Sequence, residues 1–169
     1  MLRIQHITTE GLELNACIGL FQDYANELNE DLCFQKFDDE LENPLKKYGL
    51  PLGSLLLAYW NNEPVGCVAL TNITNTTTSQ QQEENVALTC EMKRLYVKPQ
   101  YRKYKIGEAL VNEILLQAKQ LNYTVMKLDT LERLQAAIQL YLKKGFVISN
   151  AYYENPLPNV VYMEKQLTI

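Results

Sequence analysis

Residues Glu91 to Leu110 read EMKRLYVKPQYRKYKIGEAL, and the succession of residue types in this stretch decides the fold. Up to Val97 it is the end of a strand-like run that Pro99 stops, and from Ala109 and Leu110 onward apolar residues recur at helical spacing. A loop therefore feeds directly into a helix start. Between Lys93 and Lys105 the stretch carries six bases (Lys93, Arg94, Lys98, Arg102, Lys103, Lys105) and no acid. The first N–H groups of a helix have no intrahelical partner and carry partial positive charge, so a basic loop entering one is suited to an anion. Arg102, Lys103 and Lys105 suit it to a pyrophosphate; the competing reading is an ordinary basic loop.

Outward from this stretch, alternation marks a first strand over Leu2 to Thr8. Leu14, Cys17, Ile18, Phe21, Ala25 and Leu28 lie on one face of a helix. Phe34, Phe37 and Leu41 continue that period as a second, shorter helix, which Pro44 should end. Ser54 to Trp60 and Val65 to Ile73 form a hairpin across Asn61-Asn62-Glu63-Pro64. Thr74 to Asn85, without an apolar residue, is expected to be a solvated loop, followed by a strand from Val86 to Val97. The helical stripe from Ala109 to Leu121, a strand over Val125 to Thr130 and a helix over Gln135 to Lys144 capped by Gly145 come next. Strands over Phe146 to Tyr153 and Val160 to Leu167 close the chain. This order predicts a mixed α/β (α+β) sheet of about seven strands with four helices, in one domain over residues 1–169, with parallel crossovers from strand to helix to strand.

The 169 residues are 47% apolar and 21% charged, with a net charge of −4, which excludes fibrous and disordered classes. No signal peptide or membrane span of about 20 apolar residues is visible, and the expected location is the cytoplasm. Cys17, Cys33, Cys67 and Cys90 stand 16, 34 and 23 residues apart, and His6 is the only histidine. No metal is expected, and the cysteines read as reduced thiols packed as small hydrophobes. The acids of Asp38-Asp39-Glu40-Leu41-Glu42 are a solvated helix face or a negative lip for a cationic substrate.

Leu95-Tyr96-Val97-x-Pro99-x-x-Arg102, then Ile106-Gly107-x-Ala109-Leu110, then Ala137-x-x-Leu140-Tyr141-x-x-x-Gly145-Phe146 resemble the motifs of the GNAT superfamily of N-acetyltransferases, and the order of elements agrees with that family from residue 2 to 167. Further stretches resemble a bacterial subgroup of it whose acceptor is undefined. The resemblance implies transfer of an acetyl group from acetyl-coenzyme A (acetyl-CoA) to an amine. It implies coenzyme binding by Leu95, Tyr96, Val97, Arg102, Lys103, Lys105, Ile106 and Gly107. The family loop commonly runs R-G-x-G-x-G, whereas here only Gly107 remains of its glycines. A lysine forced to positive φ would cost about 1 kcal/mol, which added positive charge offsets. The asparagine that often precedes the second helix is Leu134 here, which predicts a missing hydrogen bond.

Direct attack of an amine on a thioester needs a base, an oxyanion donor and an outlet for the thiolate. The resemblance implies Glu91 as the base, against a plain ion pair with Lys93. It implies Tyr141 as the general acid, against a half-buried packing role, and the backbone N–H groups of Leu95 to Val97 as donors. The acceptor, a small-molecule or protein amine, is expected to approach across Tyr24, Glu27, Asp31, Asp38, Tyr152, Tyr153 and Asn155. Neither a nucleic-acid nor a membrane partner is expected, and a homodimer stays open. One alternative is a catalytically weak or inactive acyl-CoA-binding regulator, motivated by the glycine-poor loop. Another, a nucleic-acid module, would stack bases on Tyr96, Tyr101 and Tyr104.

Overall fold

The computed structural model describes residues 1–74 and 87–167. Seven strands are hydrogen-bonded into one sheet: β1 (Leu2–His6), β2 (Ser54–Trp60), β3 (Glu63–Asn72), β4 (Thr89–Val97), β5 (Val125–Leu131), β6 (Val147–Ser149) and β7 (Val160–Gln166). Their spatial order is β1-β2-β3-β4-β5-β7-β6. Only β4 and β5 are parallel neighbours. β7 inserts antiparallel between β5 and β6, so both crossovers expected from the sequence are present. The expected loop from residue 75 to Asn85 and the strand start at Val86 lie outside the described residues.

The helices are α1 (Leu12–Leu28), α2 (Phe37–Glu42), α3 (Pro44–Tyr48), α4 (Ile106–Gln120) and α5 (Gln135–Lys143). Pro44 does not simply end the second helix. It opens α3 as its first residue, where a missing N–H removes no hydrogen bond, so the described residues hold five α-helices rather than four. After α5, Gly145 adopts φ +86° and Phe146 N–H bonds back to the Tyr141 carbonyl, the expected glycine stop. The last hairpin is shorter than the expected Phe146 to Tyr153 strand. Beyond Ser149 the chain leaves the sheet because the Tyr152 and Tyr153 hydroxyls turn inward to carboxylates.

Both faces of the sheet are covered. Leu110, Ile114 and Ala118 of α4 pack with Leu56, Val68, Met126 and Met163 on one face. Leu14, Cys17 and Phe21 of α1, with Tyr48, pack with Leu55, Leu57 and Cys67 on the other. Each fully buried side chain of this kind contributes about 1.5–3 kcal/mol. Cys17, Cys67 and Cys90 are buried and free, as expected of packed thiols, whereas Cys33 is exposed. Among the described residues no helix is long and apolar enough to cross a membrane.

The irregularity that shapes the site is in β4. Cys67 pairs with Tyr96 and Ala69 with Lys93, so Val68 alone lies opposite both Arg94 and Leu95. This is a β-bulge, and Arg94 takes φ +59° to make it. Gly66 lets β3 pass close beside it, since a Cβ there would sit 2.8 Å from the Tyr96 carbonyl oxygen. The Cys67 thiol donates to the Arg94 carbonyl at 3.3 Å. The Arg94 side chain is buried and pairs in two-pronged fashion with Glu40 of α2, Nε to Oε1 at 3.1 Å and Nη2 to Oε2 at 2.7 Å. Glu40 is thus the member of the acidic stretch that is neither a solvated face nor a lip. Asp38, Asp39 and Glu42 are not buried.

Removing one partner of such a pair strands a buried charge. Glu40→Leu and Arg94→Met should each lower stability by about 3–5 kcal/mol in urea unfolding, and the double variant should lose less than the two losses summed. Burial raises the Glu40 pKa, but the hydrogen bonds and charge of Arg94 outweigh it and hold the carboxyl below its ordinary 4.5. A depressed folded value gives stability that is full above the unfolded pKa and lost as pH falls through the folded one. The wild type should therefore lose stability below about pH 4.5, more steeply than Glu40→Gln.

Candidate active site

The ladder between β4 and β5 holds only from Thr89 to Glu91, opposite Val125 to Lys127. Beyond Glu91 the strands part, and the β5-facing edge of β4 has no strand partner among the described residues. A cleft opens there, lined by Tyr24, Arg94, Leu95, Asp129, Ala137 and Tyr141. The bulge at Arg94 supplies the bend, and α5 forms the wall opposite β4.

Past Val97 the chain reaches the start of α4 through a short turn. Pro99–Tyr104 forms a 3-10 helix, and Lys105 then takes φ +58°, ψ +24° as the residue preceding α4. The turn that a family glycine makes is thus made by a lysine in the left-handed region, as expected for Lys105, whereas Lys103 does not take positive φ. No side chain caps the N-terminus of α4. The first intrahelical bond is donated by Ala109 to the Lys105 carbonyl, which leaves the N–H groups of Ile106, Gly107 and Glu108 outside the helix ladder. A Cβ on Gly107 would meet only ordinary contacts, at 3.8 Å or more.

The six bases do not form one positive strip. Lys93 lies 3.4 Å from Glu91, and Arg94 is held by Glu40. Lys98 pairs with Glu63, and Arg102 meets both oxygens of Glu27 at 2.6 and 2.7 Å while its Nε donates to the Val97 carbonyl. Lys103 and Lys105 are left without an ion pair among the described residues. The tyrosines are occupied too: Tyr101 donates to Glu63, Tyr104 stacks on Trp60 at 4.5 Å, and Tyr96 packs edge-on to Tyr24. These rings anchor the loop and leave no row of free faces for bases.

Glu91 is buried, with Lys93 on one side and the Tyr152 hydroxyl donating to its Oε2 at 2.5 Å on the other. It lines a second cavity on the far side of the β4 opening from Tyr141, and Gln35 and Lys93 border both spaces. Tyr141 is buried on α5 against Phe146. Burial above all pushes its phenol up, so it stays protonated at neutral pH and able to donate. Burial, then the Glu91 charge, likewise keep Tyr152 a donor.

Of the residues expected to meet an acceptor, Glu27 is taken by Arg102 and Asp31 caps the Cys33 N–H at 2.9 Å. Asp38 is exposed. Tyr24 lines the cleft and Tyr152 and Tyr153 line the second cavity. Asn155 donates to Asp129 at 2.7 Å, and Tyr153 donates to the same oxygen. Asp129 has a place in the site that pattern reasoning did not assign; the available signal was a lone carboxylate in the apolar run of β5. At Leu134, preceding α5, no side chain caps the helix.

A family model described as the acetyltransferase (GNAT) domain matches residues 51–148, more than half of the chain. The chain belongs to the GNAT acetyltransferase family. It is 43% identical over 150 residues to an uncharacterised N-acetyltransferase of Schizosaccharomyces pombe, covering 88% of this chain and 85% of that one. A relative named in the same way in Dictyostelium discoideum is 32% identical over 191 residues, covering 84% and 88%. Among solved structures, an acetyltransferase from Streptococcus agalactiae superposes with TM-score 0.74 at 21% identity, covering 98% of both chains. A GNAT family acetyltransferase from Elizabethkingia anophelis with acetyl-CoA bound superposes with TM-score 0.62 at 21% identity, again over 98% of each. Both likenesses are of fold.

The left-handed backbone at Lys105 gives a direct test. Lys105→Gly should be more stable than Lys105→Ala by about 1 kcal/mol in thermal or urea unfolding, since only alanine retains the Cβ penalty at this φ.

Proposed function

We propose that this acetyltransferase moves the acetyl group of acetyl-CoA to a primary amine, of a small molecule or a protein, by direct attack in a ternary complex formed within one domain spanning residues 1–169. The observation that carries this reading is the β4 edge without a strand partner beyond Glu91, followed in the chain by the uncapped start of α4, where the N–H groups of Ile106, Gly107 and Glu108 lie outside the helix ladder. The coenzyme suits both ends: its extended amide-bearing arm matches a strand edge, and its pyrophosphate matches a helix N-terminus.

Leu95, Tyr96 and Val97 would hold the arm by their backbone. Ile106 and Gly107 would hold the pyrophosphate by theirs, with Lys103 and Lys105 adding charge. Arg102, committed to Glu27 and Val97, would shape the loop and reach phosphate only by giving up that pair. Acetyl-CoA supplies the activated acetyl group as a thioester. Glu91 takes the proton the amine loses as the C–N bond forms, and Tyr152 and Lys93 hold its carboxylate in place. Tyr141, on the opposite side of the opening, gives a proton to the sulfur as the C–S bond breaks. The backbone N–H groups of Leu95 to Val97 steady the negative charge on the carbonyl oxygen.

Thiol release from acetyl-CoA should depend on added amine. Glu91→Gln should cut kcat about 100-fold or more while changing the KM for acetyl-CoA little, and Tyr141→Phe should cut kcat by about 10-fold or more. Undiminished turnover in Glu91→Gln would remove that residue from the mechanism.

A further inference from the structure

The second cavity, about 520 Å3, is of the size that takes a small ligand whole. It opens beside Glu91, and most of the charges around it are positive. Lys47 from α3, Lys93 from β4 and Lys127 from β5 all line it, with Glu91 as the one acid among its described lining residues. Three elements separated in sequence thus bring three ammonium groups to one small space. Phe34 and Tyr152 supply its apolar walls.

Among the described residues, the acids nearby do not balance this charge. Glu91 lies 3.4 Å from Lys93, and Glu164 reaches Lys127 only at 3.9 Å. Glu40 is spent on Arg94, and Asp129 accepts from Tyr153 and Asn155. Lys93 is itself buried, at 8% exposure, where an ammonium needs compensating negative charge. Burial, and next the charge of Lys93, pull the Lys47 ammonium down to about 8, against the opposing charges of Glu40 and Glu91. An acceptor bearing only positive charge would make this worse. An acceptor bearing a carboxylate or phosphate would relieve it, and its amine could still meet Glu91.

Resting on the acetyl-transfer reading above, we propose that the acceptor is a small amine that also carries an anionic group, a carboxylate or a phosphate, held by Lys47, Lys93 and Lys127 in the cavity beside Glu91. Of the two readings of the acidic stretch, the solvated face fits Asp38, Asp39 and Glu42, which are exposed, while Glu40 is tied to Arg94.

The test is a thiol-release panel with acetyl-CoA and amines matched in length: amino carboxylic acids, aminoalkyl phosphates, amino alcohols, alkylamines and polyamines. We expect kcat/KM for at least one anionic arm to exceed that of its neutral match by about tenfold or more. The two anionic arms separate carboxylate from phosphate. In Lys47→Gln and Lys127→Gln the KM for the preferred anionic amine should rise about tenfold, and the ratio of anionic to neutral kcat/KM should fall by the same factor. Preference for neutral amines or polyamines, or acetylation of acidic peptides with none of any small amine, overturns the anionic-acceptor assignment and leaves acetyl transfer standing. Absence of turnover with every amine, including peptides, overturns acetyl transfer and this assignment with it. If a lysine variant fails to fold, the wild-type panel alone still decides.

Discussion

The buried pair between Arg94 and Glu40 is the constraint around which the site is built. β4 has to bend away from β5 after Glu91, and it does so by placing two residues opposite Val68, with a non-glycine residue at positive φ. A conformation of that kind costs about 1–3 kcal/mol and persists only where its surroundings over-determine it. Here the surroundings are specific. The guanidinium meets both oxygens of Glu40 and lies near the faces of Tyr24 and Phe37, while the Cys67 thiol ties the Arg94 carbonyl to β3. Helices α1 and α2 are thereby fastened to the same backbone atoms that open the cleft.

From that bend the rest of the site follows by connectivity. Once β4 leaves β5, its edge beyond Glu91 has no strand partner among the described residues, and the chain then passes through the turn at Lys105 to the uncapped start of α4. The divergence also separates two chemical environments. On the α5 side the space is bordered by Tyr141 and apolar side chains; on the other, Glu91 sits among lysines and tyrosines. The proposed transfer would use this separation, with a carboxylate beside one space and a protonated phenol beside the other.

Much of this architecture was legible from residue patterns, because burial imposes period two on strands and near 3.6 on helices. The β4 to α4 stretch, the Gly145 stop and the Lys105 strain were all readable. Pro44 misled because proline suits a helix start as well as a helix end. The last hairpin was overextended because Tyr152 and Tyr153 favour strands by propensity, and only their bonds to Glu91 and Asp129 take them out of the sheet. The positive strip was overcounted for a related reason. Charge read along the chain says nothing of partners brought in from Glu27, Glu40 and Glu63, which take three of the six bases, while Lys93 meets the nearby Glu91.

By itself the sequence determined the family, most of the order of strands and helices, and the position of the turn that enters α4, since each is written in local spacing within a few dozen residues. Tertiary structure alone decided which charges are available. Whether a lysine faces water, a carboxylate or another lysine depends on contacts between segments such as α3, β4 and β5, whose sequence separation hides their proximity. That is why Arg94 became an interior strut, and why Lys47, Lys93 and Lys127 emerged as one cationic pocket beside Glu91.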